Sequence, residues 1–356
     1  MSLKSRLRKL RQRLVEREID AIFIFQPENR FYLSGFDGSA GFLLITAQTT
    51  ILATDFRYIE QAKRQAPNYE IFQVAGDIED WFPRLVAELN LKKLGFEAGH
   101  ITFATYRQLS DILNKAKPQL KLTPTEGLVE SLRAIKEPEE IELIIKAVEI
   151  SDTAFEYIEN VVHTGMSEQE VAWEIEKFLR EKGSQTIPFD IIVAAGENSV
   201  LPHAKPSQRR INSGEPVVID IGAKVGGYSS DLSRTICLGS NNTFNKIYDV
   251  VLGAQLAAIA MIEEGMSGEE ADSLARTVIE EVGYGEAFGH GLGHGVGLAP
   301  HEQPRLRPKS TELLISDMVF TIEPGIYLTD WGGVRIEDLV VMEGGKARVL
   351  SKARKV

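Results

Sequence analysis

The sequence predicts a two-domain protein. A mixed α/β unit comes first, and a larger domain of two pseudo-symmetric halves, facing each other across a cleft, follows it. Three observations carry this reading. At 356 residues the chain exceeds one ordinary domain. Over residues 1 to about 125, short apolar runs alternate with amphipathic ones, the pattern of a sheet with helices on it. Farther on, Gly165-Met-Ser-Glu-Gln-Glu170 is echoed by Gly265-Met-Ser-Gly-Glu-Glu270, one hundred positions later (265 − 165).

Taken in order, Leu3, Leu7, Leu10 and Leu14 recur at helical spacing. The basic stretch 1–14 therefore reads as part of a first helix, residues 3–17, packing on a sheet, although its composition imitates a transit peptide. Strands are expected at residues 21–25, 41–46, 50–54, 71–74 and 93–96, and helices at 59–65 and 78–89. This part holds one histidine, His100, and no cluster of ligand-type residues, so it reads as a supporting or substrate-gating domain. Residues 121–127 read as a linker. Pro138 can then open a helix whose apolar stripe is Ile141, Ile144, Ile145, Val148 and Phe155. In each echoed segment a serine precedes a glutamate three residues on, the capping box that satisfies the first free amides of a helix. Each follows an apolar helix and precedes a histidine-bearing segment with apolar strands, which makes a duplicated half-domain the simplest reading.

The stretch 285–304 places His290, His294 and His301 among glycines and reads as one wall of a site. A phosphate cradle would need a helix after the glycines, whereas the segment after Pro300 is polar and proline-broken. Four acids sit where acids are expensive. Asp220, Asp231, Glu323 and Glu337 each lie in a run dense in branched and apolar residues that reads as a β-strand. Arg234 and Arg335 are the nearby cations, too few to pair all four. Several carboxylates and one or two imidazoles form an oxygen-rich ligand set, suited to Mn²⁺ first and to Co²⁺ or Zn²⁺ as alternatives. Four carboxylates exceed the needs of one cation, and two metals sharing carboxylates and a water would use them all, which points to hydrolysis.

Composition narrows the field. A net charge of -11 and a pI near 5.2 argue against nucleic acid or an anionic membrane as partner. No run approaches the ~20 apolar residues of a membrane span. The single cysteine, Cys237, forms no intramolecular disulfide, fits a reducing cytoplasm, and reads as a buried small hydrophobe.

Asp220, Asp231, His294, Glu323 and Glu337 together resemble the five-ligand set of the metallopeptidases with the pita-bread fold, which include methionine aminopeptidase, aminopeptidase P and prolidase. The gaps of 11 (231 − 220) and 14 (337 − 323) carry the resemblance, as do the phrases Ile-Asp-Ile-Gly, Gly-His-Gly-Val-Gly-Leu, Ile-Glu-Pro-Gly-Ile-Tyr and Val-Arg-Ile-Glu-Asp. It covers the whole chain and implies an α+β class: a creatinase/prolidase-like domain over residues 1–125, absent from methionine aminopeptidases, and a pita-bread catalytic domain over 126–356.

The resemblance further implies the roles of single residues. Asp220 would hold one metal, Asp231 and Glu337 would bridge two, and His294 and Glu323 would hold the second, with Glu323 also moving a proton. His301 would steady the tetrahedral intermediate, His203 would lie near the scissile amide, His290 would line the pocket, and Arg335 would orient Asp220. Arg305 matches the arginine that receives the free carboxylate of a dipeptide in prolidases. The implied function is cleavage of the Xaa-Pro bond, favoured on dipeptides, by a hydroxide bridging two divalent metals, with Xaa-Pro aminopeptidase on longer peptides as the alternative. A homodimer is implied by the resemblance alone. A non-catalytic binding protein would be expected to have lost ligands, and a creatinase-like enzyme, which uses no metal, lacks the ligand acids. The glycines would then leave room for peptide and metals.

Overall fold

The computed structural model describes residues 3–355 and divides into two compact units, Met1–Arg133 and Ala134–Val356. The first runs α1 (Leu3–Glu16), β1 (Ala21–Ile24), α2 (Pro27–Ser34), β2 (Phe42–Thr46), β3 (Thr50–Thr54), α3 (Ile59–Gln65), β4 (Glu70–Gln73), α4 (Ile78–Ala87), β5 (Lys93–Glu97), α5 (Phe103–Ala116), β6 (Lys121–Thr125) and α6 (Glu130–Arg133). Its six strands form one mixed sheet in the order β4-β3-β2-β1-β5-β6. The leucine stripe of α1 is buried at Leu7, Leu10 and Leu14, and Phe23, Phe42, Trp81 and Phe82 pack ring on ring.

Three helices (α2, α5 and the single-turn α6) and one strand differ from expectation. Helix α2 is short, started by Pro27 in its first turn and stopped by Gly35, whose φ of 76° no bulky residue adopts cheaply. Helix α5 is capped by Thr102, which accepts from the Thr105 amide. The segment read as a linker is β6, the edge strand, in register with β5 from Lys93↔Lys121 to Glu97↔Thr125. An edge strand tolerates the proline that masks it in sequence, Pro124.

The second unit runs α7 (Pro138–Val161), α8 (Glu168–Glu181), β7 (Ile192–Ala195), β8 (Pro216–Ile221), β9 (Lys224–Val225), β10 (Tyr228–Ser229), β11 (Leu232–Cys237), α9 (Asn242–Met261), α10 (Gly268–Glu281), β12 (Gly293–Gly295), β13 (Glu302–Leu306), β14 (Val319–Ile322), β15 (Gly325–Leu328), β16 (Gly332–Arg335), β17 (Asp338–Glu343) and β18 (Lys346–Val349). The sequence echo is an echo of structure. Ser167 and Ser267 cap α8 and α10, and Glu170 and Glu270 close both boxes. Gly165 and Gly265 share a φ of 92°, and their amides donate to Ile211 (2.8 Å) and Leu314 (2.7 Å).

Each half then repeats one plan. A strand ends, a two-stranded hairpin interrupts, and the chain returns as a strand antiparallel to the first. In the first half β8 and β11 flank the hairpin β9-β10; in the second β14 and β17 flank β15-β16. The core of the first half packs α7 and α8 on the sheet β11-β8-β7 through Phe155, Ile175, Val193 and Ile219. The second packs α9 and α10 on β13-β12-β14-β17-β18 through Val251, Ile279, Phe320 and Val340. Cys237 is half-buried and packs against this second core.

Candidate metal centre

The repeated plan sets the four acids at equivalent places. Asp220 and Glu323 stand where β8 and β14 end, 103 positions apart (323 − 220). Asp231 and Glu337 stand where β11 and β17 begin, 106 apart (337 − 231). Only Asp220 lies within a regular ladder, opposite Ser233. Contrary to the sequence reading, Asp231, Glu323 and Glu337 lie outside strands, each in a two-residue break beside a hairpin. His294 sits on β12 where the register against β13 shifts. Regular strands alternate their side chains strictly between two faces, and breaks release that constraint. The longer apolar runs around them hide these two-residue breaks from a reading of pattern alone.

The breaks bring the acids together. Asp220, Asp231 and Glu337 offer oxygens within 4.8 Å of one another, as do His294, Glu323 and Glu337 through their ligand atoms, and Asp231, His294 and His301. Because Asp231, His294 and Glu337 each belong to two of these groups, the groups adjoin, as two neighbouring cations require. His294 Nε2 lies 3.2 Å from Glu323 Oε1 and 3.8 Å from Asp231 Oδ2. The Thr321 hydroxyl donates to Glu323 (3.0 Å) and accepts the His294 amide (3.0 Å). Arg335 donates to Asp220 Oδ2 (2.7 Å), while Asp220 Oδ1 is buried with no hydrogen-bond partner among the described residues. A buried acceptor left open in a carboxylate cluster fits a cation. Arg234, the other candidate counter-ion, pairs instead with Asp338 at 2.7 Å.

The electrostatics agree with the geometry. Burial, then the charges of Glu337, Asp220 and Glu323, push Asp231 well above the carboxylate range. Burial, then Glu323 and Asp220, do the same to Glu337. Burial also raises Asp220, against the pull of Arg335. For Glu323 burial is outweighed by the His294 hydrogen bond and charge, with His290 and Arg335 behind them, and the group is held at about 2. The cluster is short of positive charge, which divalent cations supply.

All ten residues singled out in the sequence line one cavity of about 480 Å³. His301, exposed on its outer side, stands edge-on to His294 with ring centroids 4.2 Å apart, and partial desolvation by the cavity wall followed by the His294 charge lowers it to about 4. His290 Nε2 is 3.0 Å from the Tyr327 hydroxyl, which accepts from Arg335 (2.9 Å); Arg335 also donates to the Pro202 carbonyl (3.2 Å). His203 and Arg305 line the same cavity. The sequence reading missed Tyr327 and Thr321, both in quoted or adjoining apolar phrases where an aromatic or threonine is ordinary strand composition. It also misread two glycines. A Cβ on Gly293 would come within 2.0 Å of the Thr321 carbonyl, and one on Gly295 within 2.0 Å of that of Gln303, so these glycines admit neighbouring strands. The segment after Pro300, read as irregular, is β13.

Comparison with known proteins adds the lineage. The model of metallopeptidase family M24 matches residues 142–343, and that of the creatinase/prolidase N-terminal domain matches 6–135. The solved structure of an Xaa-Pro dipeptidase from Bacillus anthracis is 42% identical, with a TM-score of 0.95 over 100% of this chain and 99% of that one. An Xaa-Pro dipeptidase of Pyrococcus furiosus is 38% identical over 357 residues, 99% of each chain. An X-Pro aminopeptidase structure from Thermotoga maritima is 36% identical, with a TM-score of 0.89 over 98% of each chain. With a family model matched over more than half its length, five ligand-type side chains in one cavity and the companion N-terminal domain, the chain belongs to metallopeptidase family M24.

Proposed function

We propose that the protein hydrolyses the Xaa-Pro bond of dipeptides, using two divalent metal ions held by Asp220, Asp231, His294, Glu323 and Glu337. One observation carries the reading: these five side chains share a cavity with Arg305, whose guanidinium has no ion pair or hydrogen bond among the described residues. A planar guanidinium suits the bidentate contact of a free C-terminal carboxylate. Asp231 and Glu337 would be shared between the ions, Asp220 would serve the first, and His294 and Glu323 the second. Mn²⁺ is the proposed metal, with Co²⁺ or Zn²⁺ as alternatives, because the donor set is mostly oxygen. Bound there, such ions lower the pKa of a water and polarise the scissile carbonyl.

The chain's own residues do the rest. Arg335 keeps Asp220 oriented and favours its ionised form. Glu323, ionised at neutral pH, takes a proton from the attacking water and passes it to the leaving proline nitrogen. His301, neutral at that pH, has one N–H to donate to the developing oxyanion. His203 contacts the peptide beside the scissile amide, and His290 lines the pocket. Arg305 holds the product-side carboxylate, which fixes the register of a dipeptide. All ten residues lie in 126–356, the catalytic domain of this proposal, acting in a cytoplasmic homodimer. No helix of the described residues is long and apolar enough to cross a membrane.

Hydrolysis of Ala-Pro and Ala-Pro-Ala tests the substrate. Ala-Pro is expected to be cut at least ~10-fold more efficiently, the loss of one charge-assisted contact in the longer peptide. Cleavage of the tripeptide alone would make the protein an Xaa-Pro aminopeptidase and remove the role of Arg305. Stripping with a chelator should abolish turnover, and Mn²⁺ should restore it; a chelator-resistant activity would end the two-metal reading.

A further inference from the structure

Two buried acids that take no part in the chemistry above stand on matching helices. Glu168 opens α8 directly after its cap and is fully buried, where first-turn acids are ordinarily solvated. Its Oε1 accepts from the Ala195 amide (2.8 Å) and Asn198 Nδ2 (3.0 Å), and its Oε2 from the Ser207 amide (2.9 Å) and hydroxyl (2.6 Å). These partners bracket residues 195–207, the segment that carries His203 into the cavity.

Asp272 lies early in α10, 2% exposed, and Arg276 one turn on grips it with two bonds of 2.7 and 3.0 Å. Its Oδ1 also accepts the Leu292 amide (2.9 Å). Arg276 donates to the carbonyls of Phe288 (2.8 Å) and His290 (2.7 Å) and lies 4.2 Å over the Phe288 ring, which meets the His290 ring edge-on. These bonds fall within five residues of the ribbon that carries His290.

We infer that Glu168 and the Asp272–Arg276 pair are positioning residues, each fixing, from the capping-box helix of its half, the segment that presents a histidine to the substrate. The histidines' contact with substrate rests on the function proposed above; the clamps themselves do not. Both segments leave regular structure where they carry the histidine. Residues 201–207 form no strand, and the main-chain bonds around His203 are short turns from Asn198 to Leu201 and from Leu201 to Ala204. At its tip the loop is held also by Arg335, through Pro202. A buried charge placed only for stability can be exchanged for apolar groups. Here every hydrogen bond given to Glu168 comes from one segment, and neither clamp touches a candidate metal ligand. The acids therefore spend their buried charge on where a loop stands.

Glu168→Gln keeps the shape and loses half the acceptors. We expect kcat/KM on Ala-Pro to fall ~10–100-fold, up to the cost of moving a substrate-facing group by about 1 Å, with Mn²⁺ affinity within about twofold of wild type because the clamp lies away from the candidate ligands. Glu168→Gln combined with His203→Ala should be no slower than His203→Ala alone, because the clamp acts through that histidine. Arg276→Lys with His290→Ala should behave likewise. Multiplying effects in these cycles, or loss of Mn²⁺ binding, would overturn the assignment in favour of a scaffold role. Should Glu168→Gln not fold, Ser207→Ala removes one partner and carries the same cycle. Should wild type not cleave Ala-Pro, the proposed function fails, and hydrogen exchange still decides the clamps. Faster exchange confined to 195–207 in Glu168→Gln, and to 288–292 in Arg276→Lys, supports them; unchanged exchange refutes them.

Discussion

The two halves of the second unit share a plan and differ in what they hang on it. Both start from a capping-box helix, and both place one acid before a hairpin and one after it. The first half contributes Asp220 and Asp231, the second Glu323, Glu337 and the imidazole of His294. The hairpins diverge. In the first half β9-β10 is two residues a side, and its Tyr228 hydroxyl binds Glu140. In the second β15-β16 is four a side, long enough to carry Tyr327 and Arg335 across to His290 and Asp220. Duplication thus supplies a symmetric ring of carboxylates, and divergence of one hairpin supplies the cation that orients one of them.

If the ring is built for metal, breaking it should separate function from stability. Asp231→Asn is expected to lower activity by ~10³-fold or more, several kcal/mol of transition-state stabilisation. The metal-free variant should nevertheless melt above metal-free wild type. The folded state holds Asp231 well above its ordinary value of 3.8, through burial and then Glu337, Asp220 and Glu323. Above pH 3.8 the unfolded chain ionises freely while the folded one bears a penalty, and the amide removes it. Below that pH both forms are protonated and the advantage should vanish. Scanning calorimetry of the two chelated proteins at pH 7 and pH 3 measures both arms. A variant less stable at pH 7 would mean that the carboxylates support one another without metal.

The second difference lies at one matched position. Residue 168 is a buried glutamate that reaches the loop of its half; residue 268 is glycine, where a Cβ would stand 2.0 Å from the Arg305 carbonyl. The first half uses a side chain to hold its loop, and the second brings β13 directly onto the helix. Gly268→Ala should cost about 1–3 kcal/mol by overpacking. It should also shift β13, so that KM for Ala-Pro rises more than kcat falls. Urea melts with steady-state kinetics check this, and an unperturbed KM would detach Arg305 from the substrate carboxylate.

Much of this was legible in sequence because it is local. The capping boxes are four-residue patterns, the stripe of α1 is a period, and the acids announce themselves by charge within apolar runs. What escaped reading depends on residues far apart. Composition and spacing could not rank Arg335 above Arg234, and the pairing of Arg335 with Asp220, across 115 positions, was implied by the resemblance alone; Arg234 is consumed by Asp338 across 104. The strand breaks at Asp231, Glu323 and Glu337 span two residues each inside longer apolar runs, so the weak marks they leave, Ser230, Pro324 and Asp338, are outvoted by the β-formers farther out. The glycines of 293–295 were legible as permissive, but not which neighbour needed the space. Glu168 and Asp272 look like ordinary helix-start acids until their buried partners are seen.

The smallest effect tests how each half ties the turn before its first acid-bearing strand. Just ahead of β8, Arg209 holds Glu215 with bonds of 2.6 and 2.8 Å, and Glu215 accepts the Asn212 amide (3.1 Å). The position matching Glu215 by the offset of 103 is Met318, 8% exposed and part of the apolar core. One half therefore uses an ion pair where the other uses packing. The Arg209 hydrogen bond is the largest influence on Glu215 and, against partial burial, holds it at about 2 rather than 4.5. A depressed folded-state pKa stabilises fully above the unfolded value and loses its contribution as pH falls through 4.5 toward 2. Both side chains are partly exposed, so the pair is worth about 1 kcal/mol at most. Hydrogen exchange at Asn212 should lose protection over that window while the Leu314 and Asp317 amides, which donate to the main-chain carbonyls of Met266 and Met342, keep theirs, and Glu215→Gln should flatten the difference. Parallel loss in both segments would mean that acid opens the two halves together, through the shared carboxylate ring and not through this pair.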